Sequence, residues 1–371
     1  MDFEHTEDRR MLQDSLNRFL KDKYPIETRH KAAESEAGFD PETYAQLAEL
    51  GVIGALIPED AGGFGGAGFD IMVVFEALGR ALSVEPVLAT GVFGAAPILA
   101  AGSDAQKAML EEVVAGAKKL ALAHGEPDSR YDLAHVSTKA EGGKLTGRKA
   151  VVANAGAADK LVVSARTSGG TTDENGISLY LVDPKGEGVT MRETPAVDGG
   201  RVAEVTLDGA PGELLGEEGQ GFAALEKTAA AATVALCAEA LGAMEVAHAM
   251  TVDYAKQRKQ FGRPIGAFQA LQHRLVDMSI EIEQARSAVI NAAGRLEADR
   301  DERELYVSAA KNMIGRAGKH VAEEAVQIHG GIGMTWEYAV GHYAKRIVMI
   351  DHMLGDADHH LERFIKFSKA A

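Results

Sequence analysis

Two stretches of this 371-residue chain gather side chains that suit one anionic, partly aromatic ligand. The first is Arg258-Lys-Gln-Phe-Gly-Arg-Pro-Ile-Gly-Ala-Phe-Gln-Ala-Leu-Gln-His273, and the second is Gln327-Ile-His-Gly-Gly-Ile-Gly333. The guanidinium of Arg258 presents a planar fork of donors that fits a pyrophosphate. The ring of Phe261 suits a flat heteroaromatic such as adenine, and the amides of Gln269 and Gln327 offer both donors and acceptors. Gly330 and Gly331, placed after a helical pattern, allow a backbone to come close to a flat ligand. Arg258-Lys259 alone would read as a solvated basic turn. The ordered series of Phe261, the Pro-Ile-Gly break, Gln269 and Gln-x-His-Gly-Gly argues for a site.

Other signals are weaker. Gly63-Phe-Gly65-Gly-Ala-Gly68 matches G-x-G-x-x-G after Val52–Ile57, whose composition reads as extended, with Glu85 near the spacing of a ribose-binding acid. Further helix follows it instead of a second parallel strand, so a Gly-rich surface loop is expected. Asp351-His-Met-Leu-Gly-Asp-Ala-Asp-His-His360 collects imidazoles and carboxylates. Adjacent histidines diverge on a helix and no second pair supports them, so no metal site is expected there. His124, His248 and His320 carry no comparable signal. The single cysteine, Cys237, excludes an internal disulfide and reads as a small buried residue in a reducing compartment.

The elements that must position these residues fall into three blocks. Residues 1–116 are mostly helical, as in Pro41–Gly51 with its apolar spacing and glycine stop. Residues 117–220 carry short Val, Leu and Ile runs between turn residues, such as Leu161–Ser164, Ile177–Val182 and Ala203–Leu207, which predict an antiparallel β-domain. Residues 221–371 return to helix. There Leu271, Leu275, Met278, Ile282, Ala285 and Val289 form the seam of a bundle helix, and Val321, Ala325 and Ile328 lead another to Gly330-Gly331. A helix, sheet, helix order of this kind is α+β and argues against a doubly wound sheet.

Composition narrows the partners. A formal net charge of −16 works against nucleic acid, because such binding rests on Lys and Arg neutralising phosphates. Any anionic ligand needs a local basic pocket. No apolar run is read as a membrane span, and the acidic start Met1-Asp-Phe-Glu-His-Thr-Glu-Asp8 is unlike a signal peptide, so the expected location is the cytoplasm.

With these residues in order, the whole chain resembles the acyl-CoA dehydrogenase family. That resemblance implies an N-terminal helical domain, a middle β-domain and a C-terminal four-helix domain, with FAD as cofactor and an acyl-CoA as substrate. It implies removal of an α-proton by a carboxylate while the β-hydrogen leaves as hydride to the flavin, giving a trans-2-enoyl-CoA. An electron-transfer flavoprotein is the implied acceptor. Family members place the residues matching Arg258, Phe261, Gln269, Gln327, Gly330 and Gly331 across a dimer interface, on the pyrophosphate and adenosine end of a neighbour's FAD.

Several other family positions are changed. The Thr-Glu-Pro turn is Gly125-Glu-Pro127, and the serine loop after it is Asp128-Ser-Arg-Tyr131. The Lys-x-Trp-Ile-Thr-Asn stretch is Lys149-Ala-Val-Val-Ala-Asn154, without the Trp and Thr that serve the flavin ring. Aligning the catalytic Glu-Gly-Thr on Gly355 puts Leu354 at the base and Asp356 at the Thr, while the alternative base position falls on Ala232, beside Thr233. The catalytic base is therefore unknown, with Asp356 as a fallback that two helical positions would turn away by about 200°. Ala121-Leu-Ala-His, Leu236–Glu245 and Met349–His360 make the chain similar to small subunits of heteromeric members of the pimeloyl-CoA dehydrogenase type. That likeness implies an α2β2 tetramer with a paralogous subunit supplying the base. The alternatives are a homotetramer using Asp356 or another acid, and a non-catalytic scaffold subunit.

Overall fold

A computed structural model describes residues 6–369 of the chain; the first five residues of the acidic start lie outside the described residues. Helices α1 (Glu7–Lys23), α2 (Ile26–Glu34), α3 (Pro41–Glu49) and α4 (Gly68–Ala81) come first. A π-helical stretch, Leu88–Gly94, then runs into α5 (Ala95–Ala101), α6 (Asp104–Lys107) and α7 (Leu110–Val114). Strands β1 (Leu120–Ala123), β2 (Lys139–Glu141), β3 (Lys144–Ala153), β4 (Lys160–Arg166), β5 (Ile177–Val182), β6 (Val189–Pro195) and β7 (Arg201–Leu215) follow. The chain then forms α8 (Phe222–Gln257), the hairpin β8 (Lys259–Gln260) and β9 (Arg263–Pro264), and α9 (Gln269–Ala293), α10 (Arg300–His329), α11 (Val340–His352) and α12 (Ala357–Ser368).

The chain divides into two compact units. One is built from three stretches, ending at Arg29, running Ala67–Ser83, and starting at Thr233; the other from His30–Gly66 and Val84–Ala232. In the first, glycines let helices α4 and α8 touch backbone to backbone. A methyl on Gly79 would come 2.0 Å from the Glu239 carbonyl oxygen, and one on Gly242 would come 2.1 Å from that of Glu76. Beside this crossing, Glu76 and Glu245 each meet both Arg80 and Arg286, which ties α4, α8 and α9 together through one charge network. Arg346 of α11 grips Glu239 of α8 with two bonds of 2.6 and 2.7 Å. The α9 seam is buried at Met278, Ile282, Ala285 and Val289, and only half-buried at Leu271 and Leu275 near its start.

The second unit holds a seven-stranded sheet. Its pairings run β4–β5–β7–β3–β2 and back to β4, so the sheet closes on itself and hides most of its edges. Leu145, Leu161, Val163, Val182, Val205 and Leu207 are among its buried core. The expected antiparallel pairing holds for most of the sheet, but β1 lies parallel to β4 over Leu120–Ala123. Two intervening strands connect β1 to β4, and such a crossover, unlike a hairpin, permits the parallel sense. Arg166 staples the loops at one end by donating to the carbonyls of Ala134, Val136, Thr171, Asp173 and Asn175.

Helix α8 is apolar along much of its length. It contains an apolar 18-residue window long and apolar enough for a membrane span, but 78% of that window is buried inside the fold. Its many alanines at close helical contacts make it a core helix.

Candidate functional site

The six predicted binding residues lie around one end of the helical bundle. Helix α8 stops at Gln257, and the amide of Arg258 still donates to the Tyr254 carbonyl at 2.8 Å. The chain then turns through the hairpin β8–β9 and returns when Ile265 N donates to Arg258 O, also at 2.8 Å. Phe261 occupies the hairpin tip in the left-handed region, φ 52°, and is 91% exposed. Its ring stands edge-on to Phe268, the residue before Gln269 at the start of α9. An ion pair between Arg274 and Glu324 joins the first turns of α9 to the last turns of α10. That antiparallel pairing brings Gln269 and Gln327 to the same end. Helix α10 ends at Gly330, whose φ of 64° with ψ of −142° only glycine tolerates well.

All six residues are exposed. Among the described residues no carboxylate pairs with Arg258. A methyl built on Gly330 or Gly331 would meet nothing within 4 Å. Gly330 is explained by its backbone angles, whereas no contact within the chain requires a glycine at 331.

Sequence reasoning missed an aromatic stack that joins the two halves of this end. The imidazole of His329 lies 4.5 Å from the Tyr254 ring, stacked at 28°, and 5.0 Å from the Tyr338 ring. Its Nδ1 faces the Ala325 carbonyl at 2.8 Å, so Nδ1 carries the proton, and the buried Nε2 has no partner among the described residues. Burial lowers the His329 pKa, against the pull of that carbonyl, and keeps the ring neutral. The available signal was local: Tyr254 sits one turn before Arg258, and His329 directly precedes Gly330.

The positions aligned with a catalytic base cannot accept a proton here. Leu354 is half-buried at φ 59° in a turn between α11 and α12, not on the helix expected there. Its carbonyl accepts from His360 Nε2 at 3.0 Å, and the Gly355 carbonyl accepts from the buried Lys311 ammonium, which also bonds Asp351 O at 2.8 Å. Asp356 caps α12, its carboxylate accepting from His359 N at 2.9 Å. The 200° rotation expected of a helix therefore does not apply; capping is what occupies Asp356. Ala232 and Thr233 are buried in α8.

In the β-domain, the two segments aligned with the flavin ring are linked by an internal ion pair. Lys149, wholly buried, donates to Glu126 Oε1 at 2.7 Å, to the His124 carbonyl at 3.1 Å and to Ser164 Oγ at 3.1 Å. The Glu126 carboxylate also accepts from Ser137 N at 2.7 Å and Thr138 N at 2.9 Å. Burial would raise the Glu126 carboxyl, but the charge and hydrogen bond of Lys149 and the Thr138 amide hold it down at about 2. Burial lowers Lys149 to about 8 despite Glu126. Burial and the Lys149 charge push His124 to about 3. Two residues on, β3 bulges at Val151, which has φ 55° and is 73% exposed. For a β-branched residue this is a strained conformation.

The remaining signals resolve structurally. Val52–Ile57 is not extended; it contains a 3-10 turn at Gly54–Leu56. The amides of Gly63, Phe64, Gly65 and Gly66 all donate to carbonyls of residues 54–58, so none is left to cradle a phosphate. The end of the His-rich tail is packed, with His360 buried and pushed to about 3, chiefly by burial. Cys237 is buried and its thiol is pushed up to about 12.

Family models cover nearly the whole chain. Residues 6–117 match the acyl-CoA dehydrogenase N-terminal domain, 121–210 the middle domain, and 219–367 the C-terminal domain. The acyl-CoA dehydrogenase IpdE2 of Mycobacterium tuberculosis is 33% identical over 92% of this chain and 91% of its own. A variant of the Tcur3481-Tcur3483 steroid ACAD superposes with a TM-score of 0.89 at 31% identity, covering 98% of both chains. The ChsE4-ChsE5 complex from M. tuberculosis gives a TM-score of 0.89 at 28% identity over 100% of both chains. With three matched domains in the order the fold displays, the chain belongs to the acyl-CoA dehydrogenase family of FAD-dependent oxidoreductases.

Proposed function

We propose that this chain is the small subunit of a heteromeric acyl-CoA dehydrogenase, in which a paralogous subunit supplies the catalytic base. The observation that carries the reading is an asymmetry within one chain. The bundle end with Arg258 and Gly331 is intact and open, whereas the base positions hold Leu354 and Ala232. Asp356, two residues from Leu354 in the sequence, is engaged as a helix cap.

The open end fits the adenosine and pyrophosphate half of FAD by its donor set. Arg258 would take the pyrophosphate, Phe261 the adenine face, Gln269 and Gln327 the polar edges, and Gly330–Gly331 the close backbone approach. When bound, the flavin accepts the hydride leaving the β-carbon. This chain's part is to hold the cofactor's far end, and its exposed Phe261, Met334 and Trp336 suit burial against the paralogous subunit. The likeness to the ChsE4-ChsE5 complex and to a steroid dehydrogenase supports an α2β2 assembly acting on a bulky acyl thioester, of the steroid side-chain or dicarboxylic kind. An electron-transfer flavoprotein as acceptor, domain boundaries at 116/117 and 220/221, and a cytoplasmic location complete the proposal.

The test is the ratio of FAD to chain, from flavin absorbance and native mass, for the chain alone and co-expressed with a paralogous subunit. Little FAD alone and one FAD per pair of chains in the complex is expected. A full complement of FAD with dehydrogenase activity in the chain alone would refute it. Arg258→Ala should lower the FAD content of the complex without breaking the assembly.

A further inference from the structure

We infer that His329 is a positioning residue whose ring acts as the spacer fixing Arg258 relative to the Gly330–Gly331 turn; the inference rests on the FAD-holding role proposed above. A short chain of contacts links the two halves of the binding end. Arg258 N bonds Tyr254 O at 2.8 Å, the Tyr254 ring stacks on His329 at 4.5 Å, and His329 is the last residue of α10 before Gly330. The Tyr338 ring, arriving from the loop after α10, packs beside this pair, 5.0 Å from His329, and also meets Tyr254 edge-on at 6.4 Å. Arginine and glycine turn are thus joined through one imidazole, the first by way of Tyr254 and the second by the backbone of His329.

Shape, more than hydrogen bonding, is what the ring contributes. Nδ1 uses only the carbonyl one helical turn back, at Ala325, and Nε2 has no partner among the described residues. A residue placed for its polar atoms would not leave a buried nitrogen unmatched. Stacked aromatic pairs at this spacing are attractive beyond simple burial, which gives the spacer stiffness. The groups facing the ring are the two phenols, from α8 and from the loop. Asp253, next to Tyr254, reaches the cluster through Tyr338. A ligand that spans Arg258 and the glycine turn needs their separation held, since small displacements of paired donors weaken binding steeply.

The experiment follows FAD release from the co-purified complex by the rise in flavin fluorescence, in parallel with thermal midpoint and native mass. His329→Phe keeps a ring of similar size and should change the release rate less than about threefold. His329→Ala removes the spacer and should speed release tenfold or more at unchanged native mass. Tyr338→Ala removes one wall from the loop side without cutting α10 and should give an intermediate effect, so the inference stays testable if His329→Ala fails to assemble. Equal release from all three variants and the wild type overturns it. So does a His329→Phe defect as large as that of His329→Ala, which would make the Ala325 hydrogen bond the operative contact. Release that speeds only in proportion to a fall in thermal midpoint makes the residue merely structural and also overturns it. Arg258→Ala serves as the separate control: if it leaves release unchanged, the FAD-holding role itself fails, and the spacer reading falls with it.

Discussion

Asp356 and Lys149 show how position decides what an ionisable residue does. Asp356 has the chemistry of a base, yet its carboxylate satisfies the first turn of α12. Asp356→Ser, which keeps a capping oxygen, should leave the complex's flavin reduction unchanged, whereas Asp356→Ala should cost about 1 kcal/mol of stability in urea unfolding. Loss of flavin reduction in Asp356→Ser would restore the aspartate as base. Lys149 and Glu126 form a buried pair with little water near it, so removing one partner strands the other. Glu126→Gln should destabilise by about 3–5 kcal/mol, and the double variant Glu126→Gln/Lys149→Met should recover a substantial part of that loss. An additive double variant would show that the pair is not coupled. The types and order of Arg258, Phe261, Gln269, Gln327, Gly330 and Gly331 could be read in the sequence because each has a distinctive chemistry. His329 was not, because its part depends on two rings that reach it from 75 residues upstream, at Tyr254, and from the next loop.

At the level of elements, helices declared themselves by spacing and stops. Helix α3 begins with Asp40 as cap and Pro41 in its first turn, and Gly51 at φ 84° follows its end. The strand at Ile177–Val182 was legible as a short run rich in Ile, Leu and Val before a turn-forming Asp. The parallel placement of β1 was not, because strand sense is set by the path of the connection and not by the composition of either strand. Nor was the turn at Leu354, since nothing in Met-Leu-Gly-Asp reveals that Lys311 and His360 bind its carbonyls from below. The bulge in β3 offers a direct check of stored strain. Val151→Gly should relieve the left-handed backbone and stabilise the chain by roughly 0.5–1 kcal/mol, read as a rise in denaturation midpoint at constant m-value. A loss of stability would mean that the exposed valine side chain contributes more than its backbone costs.

Across the whole molecule, buried neutral histidines set an acid limit. His124 and His360 fall from 6.5 to about 3 on folding, so the unfolded chain binds more protons than the folded one between these values. The contribution of these two histidines is then full above about pH 6.5 and declines as pH falls toward 3, with Glu126 adding a second loss between 4.5 and about 2. Urea titrations at pH 7.5, 6 and 5 should show a falling midpoint. Replacing His360 with Gln, which retains a donor for the Leu354 carbonyl, should flatten part of the slope, and an unchanged slope would assign the acid loss elsewhere. The charge of −16 gives no hint of this behaviour, because it counts groups and not their burial.

The way the first compact unit is threaded has a consequence for biosynthesis. Its α4 segment ends at Ser83, and the chain does not return to that unit until Thr233, about 150 residues later. At about 5–20 residues per second, a ribosome takes on the order of 10–30 seconds to cover the interval. During that time α1 and α4 have left the tunnel, but α8, which carries Gly242 and Glu245, has not. Their apolar faces and the Arg80–Glu76 pair must wait for partners still unmade. The β-domain, whose strands are all made by Leu215, can close first. A nascent chain stalled before α8 is therefore the form most exposed to aggregation and most in need of a chaperone.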